Sequence, residues 1–434
     1  MPASPARSFT RFNRLPVLTP DRSLDHLTLS FLKTLESEGK FTGEIHADFP
    51  TRLINATDNS VYQVMPTAVL QPKSRDDINI VMEMAGREEF NEVKITPRGG
   101  GTGTNGQSLN NTITLDTSKH LNNIRGFDKD SGLVQVEPGV VLDQLNAWLK
   151  PHGFFFPPAV STASRATIGG MIGSDSSGKG SRIYGKTSHY IHDMTTVLID
   201  GTDFTTSALS ASDAKEIMGR SDRTGALYRM VHDEIFPRRD QIKAVFPEMN
   251  RGLTGYNLKE AVSDQGDMNL SFLIAGAEGS LGMVKDITLR VIPLPKHKAV
   301  SVVRYASFDA ALRHVGTLVQ FDPVAIESID DKVMKLAEQD ESWHMLGKLL
   351  GTDTSTVQTR GFNVVEFIGE TAEDVAAKQA ELKQAELDYA RQKKMRALDA
   401  SPQEDFESAE ATLNVTKSEI AALNAQIDQA KIAV

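Results

Sequence analysis

The sequence predicts an α+β protein, and three observations carry that expectation. Short apolar runs bounded by glycine, proline or asparagine recur from residue 61 to residue 305 and read as strands. A glycine-rich loop, Pro97 to Gln107, joins two of these runs instead of opening a helix. From about residue 371 glycine and proline nearly vanish, and apolar residues fall in steps of three and four, which predicts an antiparallel helical hairpin at the C-terminus.

Composition sets the limits. The chain has 434 residues, enough for two or three domains, with 40% hydrophobic and 24% charged residues. A formal net charge of -10 argues against general nucleic-acid binding. With no cysteine, disulfides, thiolate metal sites and cysteine nucleophiles are excluded within this chain. No apolar stretch approaches the roughly 20 residues that cross a bilayer. The first twenty residues are basic and lack the apolar core of a secretory signal, so the cytoplasm is the expected compartment.

Leu24, Leu27, Phe31 and Leu35 recur at helical spacing, and Gly39 ends the run. Ser74 to Asp77 reads as a helix start, with Ile78, Ile80, Val81 and Met84 on the buried stripe. Strands are expected at 93–96, 113–116 and 133–136, and a helix carries Leu145 and Trp148. Residues 194–199 form a strand and 200–203 a hairpin turn; 205–262 reads as a polar helical insertion. Strands are expected again at 272–275, 287–292, 300–305 and 363–367, around helices at 308–319 and 330–349, the start of a second α/β domain. The tail divides into a helix at about 374–398 and a second one opened by Ser401-Pro402-Gln403-Glu404, whose seam runs from Phe406 to Val434 and needs a partner in this chain or another, a homo-oligomer included.

Three stretches carry the chemistry. Five glycines fall at 99, 100, 101, 103 and 106, directly after a strand. Glycine permits positive φ and close ligand approach, and successive exposed N–H groups make an anion cradle. Gly101 to Gly106 matches G-x-G-x-x-G, but Gln107 to Asn111 is too short for the helix a Rossmann unit needs. Ser161 to Gly178 is small and hydroxylated, and Ile168, Met171 and Ile172 interrupt it with buried-type residues, so it reads as backbone held near a flat polar ligand rather than as a linker. Gly276 to Gly282 is a third glycine turn.

Together, Pro-Arg-Gly-Gly-Gly-Thr at 97–102, Ser-Arg-Ala-Thr-Ile-Gly-Gly at 164–170 and Gly-Ala-Glu-Gly-Ser-Leu-Gly at 276–282 resemble the FAD-contacting segments of the vanillyl-alcohol-oxidase/PCMH flavoproteins. The nearest likeness is to the large bacterial D-2-hydroxyglutarate dehydrogenases, strengthened by Leu253 to Leu258 and extending from about residue 24 to about 370. The resemblance implies a two-subdomain PCMH-type FAD-binding fold with a partial α/β cap. Its domains would be an arm and helix at 1–55, the FAD-binding domain at 56–295, the start of a substrate cap at 296–370 and a coiled-coil hairpin at 371–434. It further implies that the N–H groups of Arg98, Gly99, Gly100, Gly101 and Thr102 bind the FAD diphosphate, continued by Thr104, Asn105 and Gly106. Pro157, Thr162, Thr167, Ile168, Gly169, Gly170 and Ser174 would line the flavin and ribityl chain, with Glu278 and Gly279 in the third segment and Ile287 on the adenine side. Covalent members carry a histidine in the glycine loop; here Thr102 follows Gly101, so FAD would be held non-covalently.

Such enzymes oxidise a 2-hydroxy acid, and D-2-hydroxyglutarate is the expected substrate; the electron acceptor and the catalytic residues stay unassigned. The family's cap motifs are not found in 371–434, so the chain reads as the FAD half of such an enzyme, weak or inactive alone. The tail, from Ala380 to Gln392 and through the heptads to Ile427, resembles the helical hairpin of periplasmic efflux adaptors. That resemblance supports a different expectation, an interaction protein that works through its hairpin. Among single residues, His189, His192 and Asp193 read as surface groups rather than a metal site, because zinc sites use three or four ligands. Trp148 and Phe154 to Phe156 read as core, and Arg165 either faces a ligand or pairs with an acid.

Overall fold

A computed structural model of the chain describes residues 25–247, 255–340, 343, 359–396 and 413–414. The chain divides into two compact units, one of residues 1–121 with 196–204 and one of 122–195 with 205–434.

The first unit holds strands β1 (Glu44–His46), β2 (Ala68–Gln71), β3 (Ile95–Arg98) and β4 (Ile113–Asp116) in the order β1-β2-β4-β3. β4 runs parallel to both β2 and β3. β2 and β4 are buried at every residue, as befits strands covered on both faces. Helices α1 (His26–Ser37), α2 (Phe49–Ile54) and α3 (Arg75–Ala85) belong to this unit. α1 buries Phe31, Leu32 and Leu35, and Phe31 meets Phe90 edge-on at 5.3 Å. α3 starts where the sequence placed it, with a capping box between Ser74 and Asp77. Asp77 does more than cap. It is fully buried and also accepts from the N–H of Thr42 at 2.7 Å and of Lys73 at 2.8 Å, tying two loops to the helix.

A five-stranded sheet of order β5-β6-β10-β8-β9 lies mostly in the second unit. Its strands are β5 (Ile124–Asp128), β6 (Leu133–Val136), β8 (Ile191–Val197), β9 (Asp203–Ser207) and β10 (Met283–Arg290). β7 (Phe154–Phe155) pairs with β11 (Ile292–Pro293). Ile287 stands opposite Val136 and Leu289 opposite Val134, and these four pack with Leu142, Leu145 and Leu149 of α4 (Leu142–Leu149). Ile168, Met171 and Ile172 of α5 (Ile168–Gly173) join the same core. Burying one such side chain stabilises by about 1.5–3 kcal/mol. The expected helical insertion is present as α7 (Ala211–Met218), α8 (Arg223–Ile235), α9 (Arg239–Val245) and α10 (Leu258–Ala261), after a single turn α6 (Ser181–Tyr184).

Two expectations fail here. Residues 272–275 are not a strand; Ser271–Ile274 form one helical turn, α11, started by the Asn269 side chain accepting the Ser271 N–H at 3.1 Å. A four-residue apolar run does not distinguish the two states. Trp148 is not core: it is 39% exposed, in a surface aromatic cluster with Phe127 and His152.

A second sheet follows, built on β12 (His297–Tyr305), β13 (Ala325–Asp330) and β14 (Gly361–Gly369), all antiparallel. One face is covered by α12 (Phe308–Leu318) and by α14 (Ala372–Arg396), while α13 (Asp331–Ala337) follows β13. Val375 and Leu382 of α14 are buried against this sheet, so the first half of the tail finds its partner in its own chain. The second expected helix lies mostly outside the described residues. Within it, Leu413–Asn414 form a short strand, β15, against Arg304 and Tyr305 of β12, where a helix was expected. The edge of β12 offers unpaired backbone groups that can recruit such a segment.

The core of this second sheet contains a buried polar chain. Asn363 donates to the Tyr305 hydroxyl at 3.0 Å, and that hydroxyl lies 2.7 Å from Nδ1 of His314. Burial pulls the His314 pKa below its ordinary 6.5. Its neutral form therefore supports the fold above about pH 6.5, and that support is lost as pH falls toward the lower folded value. The melting temperature of the wild type should fall more steeply between about pH 7 and pH 5 than that of His314→Leu. Equal slopes would rule out His314 as a titrating element.

Candidate functional site

The glycine loop is the connection between β3 and β4, which run parallel side by side. Parallel neighbours need a crossover, and here residues 99–112 supply it without a helix. Gly101 and Gly106 take φ of +61° and +81°, where a side chain would be strained. Arg98 ends β3 and turns its guanidinium under the loop. It donates to the carbonyl of Thr57 at 2.7 Å and reaches Ser108 at 3.3 Å, and a Cβ on Gly101 would sit 2.6 Å from its Nη2. Burial lowers the Arg98 pKa, and Asp116 and Asp58 oppose that shift. The Arg98 side chain thus shapes the loop from behind.

Among the described residues, the N–H groups of Gly99, Gly100, Gly101, Thr102, Gly103 and Thr104 donate to nothing. Asn105 differs, because its N–H reaches the Gln107 side chain at 3.1 Å. Thr104 and Asn105 are exposed. Six consecutive unpaired donors on half-sheltered backbone fit an anionic group such as a diphosphate.

The second segment is built differently. Thr167 caps α5, and the first-turn donors are all taken: Ile168 N–H by Val140 O at 2.8 Å, Gly169 N–H by Pro138 O at 2.8 Å and Gly170 N–H by Thr167 Oγ1 at 3.3 Å. This turn offers no free donors to a phosphate. What it offers is bare surface. A Cβ on Gly170 would meet only Thr167 Oγ1, at 3.1 Å, and Gly170 and Ser174 are exposed one turn apart. Gly169 is a glycine for another reason, since its Cβ would lie 2.7 Å from Pro138. Pro157 is buried, and the carbonyl of Thr162 accepts the N–H groups of Arg165 and Ala166 at 2.8 Å.

The third segment meets the second directly. The N–H of Gly276 donates to Ile172 O and that of Glu278 to Gly173 O, both at 2.9 Å. Glu278 takes φ of +52° and Gly279 +86°. Two residues expected at the cofactor, Ile287 through a backbone group, have their side chains in the core. Ile168 is fully buried and Ile287 is 2% exposed, mid-strand between β6 and β8, so packing accounts for both.

A charged cluster beneath this region was not read from the sequence. Lys186 pairs with Asp175 at 2.7 Å, and Asp175 also accepts from Ser188 N–H at 2.9 Å while holding φ of +44°. Glu260 is drawn down to about 2 by His189, helped by Asn257 and Lys186. Asn257 lies in the stretch 253–258 that carried part of the resemblance; the described part shows it capping α10. Lys186, Asp175 and Glu260 are separated in sequence, so only the fold reveals them as a group. His189 turns to Glu260 and His192 to Asp193, and no metal-binding group of acids and histidines occurs among the described residues. Arg165 is exposed and pairs with no acid among the described residues.

A mixed α/β chain whose glycine loop frees six N–H donors and whose second glycine turn presents a bare face is built as a dinucleotide-binding flavoprotein. It belongs to the FAD-linked oxidases: residues 66–207 match the FAD binding domain family, and residues 294–430 match the FAD linked oxidases C-terminal domain. The second match continues through the tail, and the likeness to efflux adaptors finds no support. The chain is 43% identical over 348 residues to D-2-hydroxyglutarate dehydrogenase of Pseudomonas putida, covering 80% of this chain and 34% of that protein. It is 40% identical over 358 residues to the protein of that name from Escherichia coli, covering 82% and 35%. With the mitochondrial D-lactate dehydrogenase [cytochrome] 1 of Saccharomyces cerevisiae it shares 27% over 283 residues, 64% of this chain and 39% of that one. The chain thus spans about a third of the length of the curated D-2-hydroxyglutarate dehydrogenases it matches. The solved structure of an alkyldihydroxyacetonephosphate synthase shares the fold at TM-score 0.58 and 16% identity, covering 82% of this chain and 58% of that one. No helix among the described residues is long and apolar enough to cross a membrane.

Gly170→Val should leave the melting temperature of the apoprotein within a few degrees and abolish FAD binding, as should Gly100→Val. Gly169→Val should instead lower stability by roughly 1–3 kcal/mol, through Pro138. Retention of flavin by both Gly100→Val and Gly170→Val, measured by absorbance after gel filtration, would overturn the site.

Proposed function

We propose that this chain is the flavin-binding part of a D-2-hydroxy-acid dehydrogenase, with D-2-hydroxyglutarate as substrate. The observation that carries the reading is the run of unpaired donors from Gly99 to Thr104, on a chain whose curated relatives bear that name. FAD, when bound, supplies the acceptor for the hydride that leaves the substrate α-carbon.

The residues of this chain do the rest. The N–H groups of Gly99 to Thr104 neutralise the diphosphate, with no side-chain charge needed at the contact. Gly106, at positive φ, lets the chain turn away beyond them. Gly170 and Ser174 give the flavin a flat seat, flanked by Pro157, Thr162 and the Glu278–Gly279 turn. The Lys186–Asp175 pair stiffens that seat from below, since it fixes the backbone just after Ser174. Thr102 carries no imidazole, so the flavin is held without a covalent bond. Within this proposal residues 56–295 are the FAD-binding domain, 296–370 begin the substrate cap, and the compartment is the cytoplasm.

Purified protein loaded with FAD should be yellow, and anaerobic D-2-hydroxyglutarate should bleach its visible bands slowly and weakly, as expected of a flavin-binding part alone, while the L-enantiomer leaves them unchanged. Protein that folds and takes up no FAD, or bleaching by both enantiomers alike, would sink the reading.

A further inference from the structure

Arg304 is 3% exposed in β12. Its strand partners are Phe362 of β14, with Ile329 of β13 beyond, and Asn414 of β15 on the other side. Successive side chains of a strand face opposite ways, so Arg304 points away from Val303, Tyr305 and the core under α12 and α14. Among the described residues its Nε and Nη2 have no hydrogen-bond partner. Burial pulls its guanidinium pKa down, and no acid among the described residues opposes that shift.

Nε and Nη2 form one edge of the guanidinium. Their N–H bonds run parallel at the spacing of two oxygens in a planar carboxylate. A buried cation without a counter-charge is strongly unfavourable, and two cations near this face are paired: Lys179 with Glu366 of β14, and Arg182 with Asp322 at 2.5 Å. Glu366 lies on the same face of the sheet as Arg304, by register with Val300. That face therefore meets residues 179–184, which directly follow the second glycine segment.

We propose that Arg304 is a carboxylate anchor, its Nε–Nη2 edge binding one carboxylate of a small organic acid. That this acid is the 2-hydroxy acid substrate rests on the function proposed above; the carboxylate chemistry does not. The same fork would also take an aspartate or glutamate side chain of the polypeptide, and the test separates the two.

The full chain is melted with and without glutarate, a dicarboxylate that cannot be oxidised in this way, and with pentane-1,5-diol as the uncharged control. Saturating glutarate should raise the wild-type melting temperature by roughly 2–4 °C, and the diol should not. Arg304→Met should weaken glutarate binding by at least about 30-fold, and Arg304→Lys should weaken it less, because it keeps the charge and loses the fork. The exposed control Arg313→Gln should bind as wild type. Ligand-free Arg304→Met should melt at the wild-type temperature or above, since an unpaired buried charge has been removed. An equal glutarate shift in wild type and Arg304→Met overturns the proposal. So does a ligand-free Arg304→Met that melts several degrees low or fails to fold, or an Arg304→Lys that binds glutarate as wild type does, since the guanidinium then has a partner within the chain or the fork is not what binds. No flavin is needed for any arm. Colourless protein whose glutarate binding still depends on Arg304 would refute the function and leave the anchor standing, and yellow protein without that dependence would do the reverse.

Discussion

The parallel pairing of β3 with β4 is the constraint from which the candidate site follows. Two adjacent strands running the same way force the chain to travel back the length of a strand before it can re-enter the sheet. A helix would do this while pairing its own backbone. Here the return is made by residues 99–112, whose glycines let the main chain bend through positive φ, and the N–H groups from Gly99 to Thr104 end up with no partner among the described residues. Unpaired donors turned to solvent are available to a negative group, which is why the loop is the candidate diphosphate site within the proposed function.

The second and third glycine segments obey the opposite rule. Their donors are satisfied, by Pro138, Val140 and Thr167 in α5 and by the carbonyls of Ile172 and Gly173 where the third segment docks. What glycine contributes there is the absence of a side chain, toward Pro138 at Gly169 and toward open space at Gly170. Similar composition therefore serves two physical ends, donor supply in one loop and surface clearance in the other. The strained turns at Asp175 and Glu278 persist because hydrogen bonds over-determine them, with Lys186 and Ser188 holding the first and Gly173 the second.

The cap sheet shows how much a neighbouring element changes the meaning of a pattern. The tail was expected to form a hairpin whose seam, Phe406 to Val434, needs a partner; that seam lies almost wholly outside the described residues. The first helix of the tail, α14, buries Val375 and Leu382 against β12 and β14, and Gln379 reaches the Ser301 side chain at 3.3 Å. On the other face of that sheet Lys179 and Arg182 are neutralised by Glu366 and Asp322, while buried Arg304 has no counter-charge among the described residues.

Most of the secondary structure and the positions of the glycine turns were legible in the sequence, because periodicity, caps and glycine clusters are local signals. β4 and β6 fall at 113–116 and 133–136 as read, and Ser74 does cap α3. The turn at 271–274 and the two-residue strand at 413–414 were not legible, since a short apolar run takes whichever state its neighbours complete. The sequence by itself determined where backbone could come close to a ligand. Only the tertiary structure decided which of those backbones keep free donors, that Ile168 and Ile287 pack in the core, and that Asp175, Lys186 and Glu260 form one charged cluster. The reason is physical: a hydrogen bond or an ion pair is a property of two groups, and the partner is chosen by the fold rather than by position along the chain.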